Sequence, residues 1–155
     1  MPREPYVSDE SVLGLLSSVN INSSIAVYQQ IENLVRFAVA AGKLKAKDQL
    51  PSVRELSEKL QLNPNTIAKA YRDLEVMGLV YTRRGMGVFI SEEAYKKCRA
   101  NTRNDIFGRL FEVVAESNAA GITKAEIRTM MDAFLKTDPT PYTEAPANLI
   151  KATSK

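Results

Sequence analysis

The sequence of 155 residues contains no histidine, no tryptophan and a single cysteine, Cys98. The absence of histidine removes the commonest general base and the commonest metal ligand of proteins. One thiol can form neither an internal disulfide nor a cysteine-rich zinc site. We therefore expect no catalytic residue, no metal and no cofactor, and we expect Cys98 to be a passive residue in a reducing cytoplasm.

Long apolar runs are also absent. No stretch approaches the length of about 18 residues that a membrane-spanning helix needs, and the N-terminus lacks the apolar segment of a signal peptide. Apolar residues make up 45% of the chain, which is enough to bury a core. These properties predict a soluble cytoplasmic protein that does not associate with membranes.

Net charge is small, because 21 basic residues are nearly balanced by 18 acidic ones. The basic excess is uneven: positions 43–87 hold nine basic and five acidic residues, whereas the remainder holds twelve and thirteen. A local basic excess is typical of a nucleic-acid-binding segment. Lys43, Lys45 and Lys47 belong to this excess, but we expect these loop lysines to be solvated.

The strongest local signals lie between residues 50 and 90. Ser52 and Glu55 form the pattern of a capping box, in which each side chain accepts a hydrogen bond from the other residue's amide. Leu56 and Leu60 follow on one helical face. These residues predict a short helix that begins after Ser52.

A second short helix is predicted a few residues later. Asn63 suits its N-cap, Pro64 its first turn, and Gly78 the position just past its end. Its apolar arc, which we expect to face the core, comprises Ile67, Ala70, Tyr71, Leu74 and Met77. Its opposite face carries Asn65, Thr66, Lys69 and Arg72.

That polar face has two interpretations. A solvated face is the common explanation for any amphipathic helix. However, asparagine can pair with adenine, arginine and lysine favour guanine or phosphate, and the threonine methyl group suits thymine. Two short helices with a tight join, the second of which enters the major groove, form a helix-turn-helix.

A predicted β-hairpin favours the DNA-reading interpretation. The β-rich runs 79–82 and 88–90 flank its tip. Glycine permits the positive φ angles that such a tip needs, and paired arginines there would be neutralised by the minor groove or its phosphates. The tip contains Arg83, Arg84, Gly85 and Gly87. The whole segment predicts a winged helix-turn-helix.

The same residues resemble the N-terminal DNA-binding domain of GntR-family bacterial transcription regulators. The matching motifs are DQLPS (48–52), REL (54–56), NPNT (63–66), the helix end at 71–78 and RRGMG (83–87). The resemblance implies a dimeric repressor that binds a palindromic operator on double-stranded DNA. The short C-terminal region resembles that of the YtrA-like branch, whose genes often accompany transporter operons.

Together, the residues and the resemblance predict a DNA-binding set. Its members are Ser52, Arg54, Asn63, Asn65, Thr66, Lys69, Arg72, Arg83, Arg84, Gly85 and Gly87. We expect those of the two helices at the major groove or its phosphates. We expect the arginines of the hairpin at the minor groove, with the glycines shaping the turn.

Further elements are predicted on both sides of this segment. A strong helix over 25–41 resembles the family's first helix. Before it, residues 12–16 could form a turn or two of helix, and Val19, Asn20 and Ile21 alternate like an edge strand. After the hairpin, Ser91 has the character of an N-cap for a long helix that runs to about Asn118.

A last helix is predicted after a capping box at Thr123 and Glu126. We expect the two C-terminal helices to pack antiparallel, with apolar stripes too wide for two helices to bury alone. A second subunit would complete the bundle. The predicted dimer interface comprises Phe107, Leu110, Phe111, Val114, Ile127, Met130, Met131 and Phe134.

We therefore expect a mainly α-helical fold with a small β-hairpin. The predicted divisions are an N-terminal extension (1–24), a winged helix-turn-helix domain (25–91), a two-helix dimerisation region (92–136) and a mobile tail (137–155). The predicted function is a sequence-specific, DNA-binding transcriptional regulator. The alternative is a winged-helix module that binds protein, which an acidic or apolar second helix would favour. The sequence specifies no small-molecule effector.

Overall fold

The computed structural model describes residues 9–142, together with 144 and 147. Along these residues the elements are α1 (Asp9–Leu15), α2 (Val27–Ala40), β1 (Gln49–Leu50), α3 (Val53–Leu60), α4 (Pro64–Val76), β2 (Val80–Arg83), β3 (Gly87–Ile90), α5 (Ala94–Ala119) and α6 (Lys124–Leu135). The predicted class, mainly helical with a small β-structure, is confirmed. Two compact units divide the chain, one ending at Thr102 and the other beginning at Arg103. Within the described residues, no helix has both the length and the apolar content that crossing a bilayer requires.

The core of the first unit is built on α2. Ile31, Val35 and Val39 are fully buried, because they recur on the face of α2 that packs against α4. Gly42 adopts a φ of +72° just past the helix end, a conformation that glycine enters without a steric penalty. The helix predicted over residues 25–41 is confirmed to within two residues.

The predicted helix-turn-helix consists of α3 and α4. The Ser52 capping box forms, because the Glu55 amide donates to Ser52 Oγ at 3.1 Å and the Ser52 amide donates to Glu55 Oε2 at 2.8 Å. Gln61 ends α3 in the left-handed conformation, with a φ of +53°. Asn63 then caps α4 by accepting a hydrogen bond from the Asn65 amide at 2.8 Å. A very short join therefore turns the chain between the two helices.

The predicted hairpin forms from β2 and β3, and β1 adds a third strand that was not predicted, so the wing is an antiparallel sheet in the order β1-β3-β2. β2 pairs with β3 from Val80 opposite Ile90 to Arg83 opposite Gly87. β1 pairs with the other edge of β3. A strand of two residues has no alternating pattern by which a sequence could reveal it. Its pairing ties the base of the wing to the segment that leads into α3.

The N-terminal segment adds a short helix to the first unit. α1 buries Val12, and Leu16 just beyond it is buried as well. The edge strand predicted at 19–21 is wrong, because the side chain of Gln30 takes the place of a partner strand. The Asn20 amide donates to Gln30 Oε1 at 2.8 Å, and Gln30 Nε2 donates to the Asn20 carbonyl oxygen at 2.9 Å. Residues 1–8 of the predicted extension lie outside the described residues.

The long helix α5 begins later than predicted. Ser91 is not its N-cap, because the serine hydroxyl donates to the carbonyl oxygen of Gly78 at 2.7 Å. Instead, α5 begins at Ala94 and buries Ala94 and Cys98 within the first unit. Burial raises the pKa of the Cys98 thiol, which disfavours the reactive thiolate and agrees with a passive role.

Among the described residues of the second unit, none is fully buried. α6 begins with the predicted capping box, since the Glu126 amide donates to Thr123 Oγ1 at 3.3 Å and the Thr123 amide donates to Glu126 Oε2 at 2.8 Å. The apolar side chains of this unit are half-buried or exposed. The described residues of the expected antiparallel pair therefore form no fully buried core of their own. The predicted mobile tail lies largely outside the described residues.

The hydroxyl of Tyr71 links α4 to the start of α3, because it donates to the carbonyl oxygen of Pro51 at 2.7 Å in a buried setting. Replacing Tyr71 with phenylalanine should leave that carbonyl unsatisfied and lower the free energy of unfolding by about 1–3 kcal/mol. Urea unfolding followed by circular dichroism measures the change. The control is Tyr81→Phe, which removes a hydroxyl from a half-exposed wing residue and should change stability by less than about 0.5 kcal/mol. Equal effects of the two substitutions would contradict this role of the bond.

Candidate DNA-binding surface

The inner face of α4 fixes how the helix is turned. Ile67, Ala70 and Leu74 are completely buried, as their helical spacing predicts. Met77, which was expected on the same face, is 44% exposed. The prediction for Met77 is wrong because α4 ends at Val76, and the chain beyond it turns at a glycine instead of continuing along the core.

The outer face of α4 carries the predicted base-reading residues. Asn65 and Arg72 are exposed, whereas Thr66 and Lys69 are half-buried. An asparagine amide offers a donor and an acceptor side by side, which is the geometry that pairs with adenine. An arginine offers the matching fork for guanine or a phosphate. Position, exposure and chemistry therefore agree best with DNA reading for Asn65 and Arg72.

Lys69 is held within the first unit by other side chains. Its Nζ donates to Asp73 Oδ2 at 2.7 Å and lies 4.2 Å from the centroid of the Tyr28 ring. The hydrogen bond to Asp73 raises the pKa of Lys69, so the ammonium remains charged. Lys69 can contact DNA only by exchanging these partners, which a position on the helical wheel does not reveal.

Arg54 projects from the first turn of α3 with 87% of its side chain exposed. Its Nε donates to Glu58 Oε1, one helical turn later, at 2.9 Å. An exposed pair of this kind contributes only about 0–1 kcal/mol. A phosphate or a guanine could therefore replace Glu58 as the partner of Arg54 at little cost.

The side chains of the two N-cap residues already accept hydrogen bonds from their own helices. Both side-chain oxygens accept backbone hydrogen bonds, Ser52 Oγ from Glu55 and Asn63 Oδ1 from Asn65. The hydrogen bond from the Ser52 amide lowers the pKa of the Glu55 carboxyl group, so a carboxylate stands at this helix end. The donors left for a phosphate are the Ser52 hydroxyl and the Asn63 side-chain amide group.

The wing separates the two arginines that were expected together at its tip. Arg83 is the last residue of β2, directly opposite Gly87. Its guanidinium carbon lies 5.6 Å from the ring centroid of Tyr81 and 5.8 Å from that of Phe89. Stacking on these rings holds the cation beside the sheet. Arg84 begins the exposed loop that continues through Gly85 to the next strand.

Two residues that sequence reasoning missed support the wing. Gln49 Nε2 donates to the carbonyl oxygen of Met86, at the wing tip, with a length of 2.8 Å. Glu75 Oε1, on α4, accepts a hydrogen bond from the amide of Thr82 at 2.9 Å. Both are long-range contacts of ordinary surface residue types, so no local pattern announces them. The first ties the wing tip to β1, and the second positions the wing relative to α4, the helix that carries Asn65.

The predicted dimer residues fall into two groups. Those that are exposed are Phe107, Leu110, Phe111 and Met131. Those that are half-buried are Val114, Ile127, Met130 and Phe134. Three further exposed apolar side chains of the same unit were not in the predicted set: Ile106, Val113 and Leu135. Together they form more apolar surface than scattered single residues would.

A helix-turn-helix followed by a basic β-wing defines the winged-helix class of DNA-binding proteins. The family model for "Bacterial regulatory proteins, gntR family" matches residues 27–90. The HTH-type transcriptional repressor YtrA of Bacillus subtilis (strain 168) is 36% identical over 104 residues, which are 67% of this chain and 80% of that protein. The chain therefore belongs to the GntR family of bacterial regulatory proteins.

Solved structures agree with this assignment. A GntR family transcriptional regulator from Listeria monocytogenes is 35% identical, with a TM-score of 0.57 over 77% of this chain and 100% of that one. A transcriptional regulator from Oenococcus oeni is 34% identical, with a TM-score of 0.56 over 75% of this chain and 96% of that one. The resemblance and the predicted function as a DNA-binding transcription regulator are confirmed. The family consists of regulators, not enzymes.

The shape of the wing tip should depend on Gly87. This glycine has a φ of +119°, and a Cβ atom added there would lie 2.6 Å from Gln49 Nε2, the group that donates to Met86. Gly87→Ala should strain the backbone, displace Gln49 and weaken DNA binding, while lowering the free energy of unfolding by about 1 kcal/mol or more. Urea unfolding and a DNA-binding titration measure the two effects.

The matched control is Gly85→Ala. Gly85 also has a positive φ, +74°, but no atom lies within 4 Å of an added Cβ. Gly85→Ala should therefore strain the backbone without displacing Gln49. DNA binding that fell equally in both variants would show that Gln49 does not matter to the wing.

Proposed function

We propose that the protein is a homodimeric repressor that binds a palindromic operator through its two winged helices. The observation that carries the proposal is the outward placement of Asn65 and Arg72 on a helix whose opposite face is locked into the core. In this proposal Arg54, Thr66 and Lys69 complete the major-groove contacts. Ser52 and Asn63 approach the phosphates through their remaining donors.

In the same proposal the wing lies at the minor groove. Arg84 reaches into the groove or to its flanking phosphates, and Arg83 follows from its position against Tyr81 and Phe89. Gly85 and Gly87 keep the tip narrow enough to approach the backbone. Such contacts neutralise phosphates and release counterions, so they add affinity for every sequence.

The rival function is a winged-helix module that binds protein instead of DNA. Such a module would present an acidic or apolar recognition face. On α4 the exposed face instead includes Asn65 and Arg72, although Val76 at its end is also exposed. The polar and basic character of this face favours DNA.

The proposed homodimer rests on the second unit. Its described residues include none that is fully buried, and Phe111 is 76% exposed. A soluble chain gains free energy by covering apolar surface of this kind. A second copy would present the same surface and bring two recognition helices to the two halves of a palindrome, spaced by one turn of DNA, about 34 Å, or by a multiple of it.

We place this activity in the cytoplasm and assign it no catalytic step, metal or cofactor. The similarity to the YtrA repressor supports repression as the mode of regulation. It also suggests genes of a transporter operon as targets, because regulators of that branch often accompany such operons. DNase I footprinting on the promoter of the protein's own operon would locate the operator.

DNA binding by these residues can be tested with two variants that act differently. Asn65→Ala should weaken binding to the operator by about 1–3 kcal/mol and relax the preference at one base pair. Arg84→Ala should weaken binding to every duplex and reduce the slope of log K against log salt by about one. Fluorescence anisotropy with operator and scrambled duplexes measures both.

Lys43→Ala provides a control for general loss of positive charge, because this lysine lies in an exposed loop outside the proposed surface. An operator affinity that is insensitive to salt in the wild-type protein would favour the protein-binding alternative. Unchanged base preference in Asn65→Ala would remove that residue from the proposed contacts.

The dimer can be tested by placing a charge in the exposed apolar surface. Phe111→Asp should convert the dimer to a monomer at micromolar concentration, because pairing would bury the new carboxylate. The first unit should remain folded, since its core is separate. Sedimentation equilibrium and circular dichroism measure the two properties.

The matched control is Arg109→Gln, which changes the net charge by the same amount. It lies on the opposite side of α5, since two helical residues are about 200° apart, and should leave the dimer intact. A wild-type protein that sediments as a monomer would overturn the proposed dimer. Unfolding of the whole Phe111→Asp chain would show that the helices share one core with the winged helix.

A further inference from the structure

A carboxyl group is buried behind the recognition helix. Glu32, on α2, is only 8% exposed, and its Oε1 atom has no hydrogen-bond partner among the described residues. A buried charge normally has a full set of partners. The DNA contacts proposed above give Glu32 no role.

Glu32 belongs to a cluster that connects α2 with α4. The carboxyl group of Asp73, on α4, lies near enough to raise the pKa of Glu32, and two adjacent carboxyl groups can share a hydrogen bond only when one of them is protonated. Asp73 in turn accepts a hydrogen bond from Lys69 at 2.7 Å. Lys69 lies over the ring of Tyr28, one helical turn before Glu32 on α2.

The surroundings decide which carboxyl group holds the proton. The hydrogen bond from Lys69 lowers the pKa of Asp73. Burial, together with the neighbouring Asp73 carboxyl group, raises the pKa of Glu32 to about 7. The positive charges of Lys69 on α4 and Arg36 on α2 oppose this rise, and Arg72 acts on Asp73 from α4. Near neutral pH, Glu32 therefore exchanges its proton while Asp73 stays ionised.

We propose that Glu32 is a proton-linked positioning residue that controls how readily Lys69 leaves Asp73 to contact DNA. When Glu32 is protonated, it donates to Asp73 and competes with Lys69 for that carboxylate. When Glu32 is ionised, two adjacent carboxylates hold one ammonium, and the cluster gains a negative charge behind the helix that faces the phosphates. Loss of the proton therefore retains Lys69 and weakens DNA binding.

The inference rests on the proposed function, in which Lys69 reaches the major groove. The inference predicts the direction of the pH dependence: operator affinity should fall as the pH rises through about 7. Because DNA binding and protonation are linked, DNA should bind more tightly to the protein with protonated Glu32, and binding should be accompanied by uptake of a proton. Each unit by which DNA raises the pKa of Glu32 corresponds to a tenfold change in affinity at most. We therefore expect a decrease of several-fold, confined to the range around neutrality.

Fluorescence anisotropy with an operator duplex, at constant ionic strength and from about pH 6 to about pH 8, tests the proposal. The wild-type affinity should decrease across this range. Glu32→Gln keeps the shape of the side chain and a donor for Asp73, and should give a flat profile at the high-affinity level. Glu93→Gln removes an exposed carboxylate from the same unit and should keep the wild-type profile.

Lys69→Ala separates this inference from the proposed function. If Lys69 contacts DNA and Glu32 controls it, this variant should bind weakly at every pH and lose the pH dependence. Weak binding of Lys69→Ala together with an unchanged pH profile in Glu32→Gln would overturn the role of Glu32 while leaving the DNA contact intact. Wild-type affinity in Lys69→Ala would overturn the contact itself.

The titration can also be observed without any substitution. The carboxyl carbon of Glu32 in the full-length wild-type protein, followed by NMR, should titrate near pH 7 and not near the usual value of 4.5. A midpoint near the usual value would overturn the proposal, whatever the stability of the variants. The thermal midpoint should likewise fall as the pH rises from about 4.5 to about 7, because the folded protein there holds a proton that the unfolded chain has lost.

Discussion

The packing of α2 against α4 determines where the functional groups of the first unit lie. Ile67 and Leu74 can be buried only with α4 in one rotation, and this rotation turns Asn65 outward. Tyr71 extends the same constraint to α3 through its bond to the Pro51 carbonyl. Glu75 extends it to the wing by accepting from the Thr82 amide. The proposed contacts thus belong to one pre-arranged frame, which limits the entropy lost when DNA binds.

Three cationic side chains of this frame have partners before any DNA arrives. Arg54 pairs with Glu58, Lys69 with Asp73, and Arg83 lies beside two aromatic rings. Each interaction restricts a long side chain to a few conformations without neutralising the surface as a whole. Because exposed pairs contribute little free energy, a phosphate can replace the internal partner. The protein therefore limits the motion of these proposed DNA contacts while keeping them available.

Short-range chemistry made three of the helix starts predictable. The capping boxes at Ser52 and Thr123, and the N-cap at Asn63, depend on residues within three positions of each other, and all form as expected. The family motifs depend on the same kind of local information. The predicted list of DNA contacts and dimer contacts goes further than this information, and it remains a set of predictions.

Long-range contacts account for what the sequence did not reveal. Gln49 donates a hydrogen bond to Met86, 37 positions away in the sequence, and neither residue type suggests such a contact. The alternating residues at 19–21 resemble a strand, but Gln30 satisfies the backbone of Asn20 more locally. The helical wheel placed Lys69 on the polar face correctly, yet it could not show that Tyr28 and Asp73 hold the ammonium. The burial of Glu32 depends on how α2 packs against α4, so no local sequence pattern predicts it.

A helical segment whose described residues include none that is buried has little free energy with which to order itself. Under the proposed pairing, the second unit would become ordered in the same event that joins two chains. The concentration of dimer would then rise more steeply than in proportion to the concentration of chain, as mass action requires. A newly made chain would also remain open to proteases at these helices until it meets a second one. Gene control by this protein would consequently respond to the number of copies in the cell with a threshold.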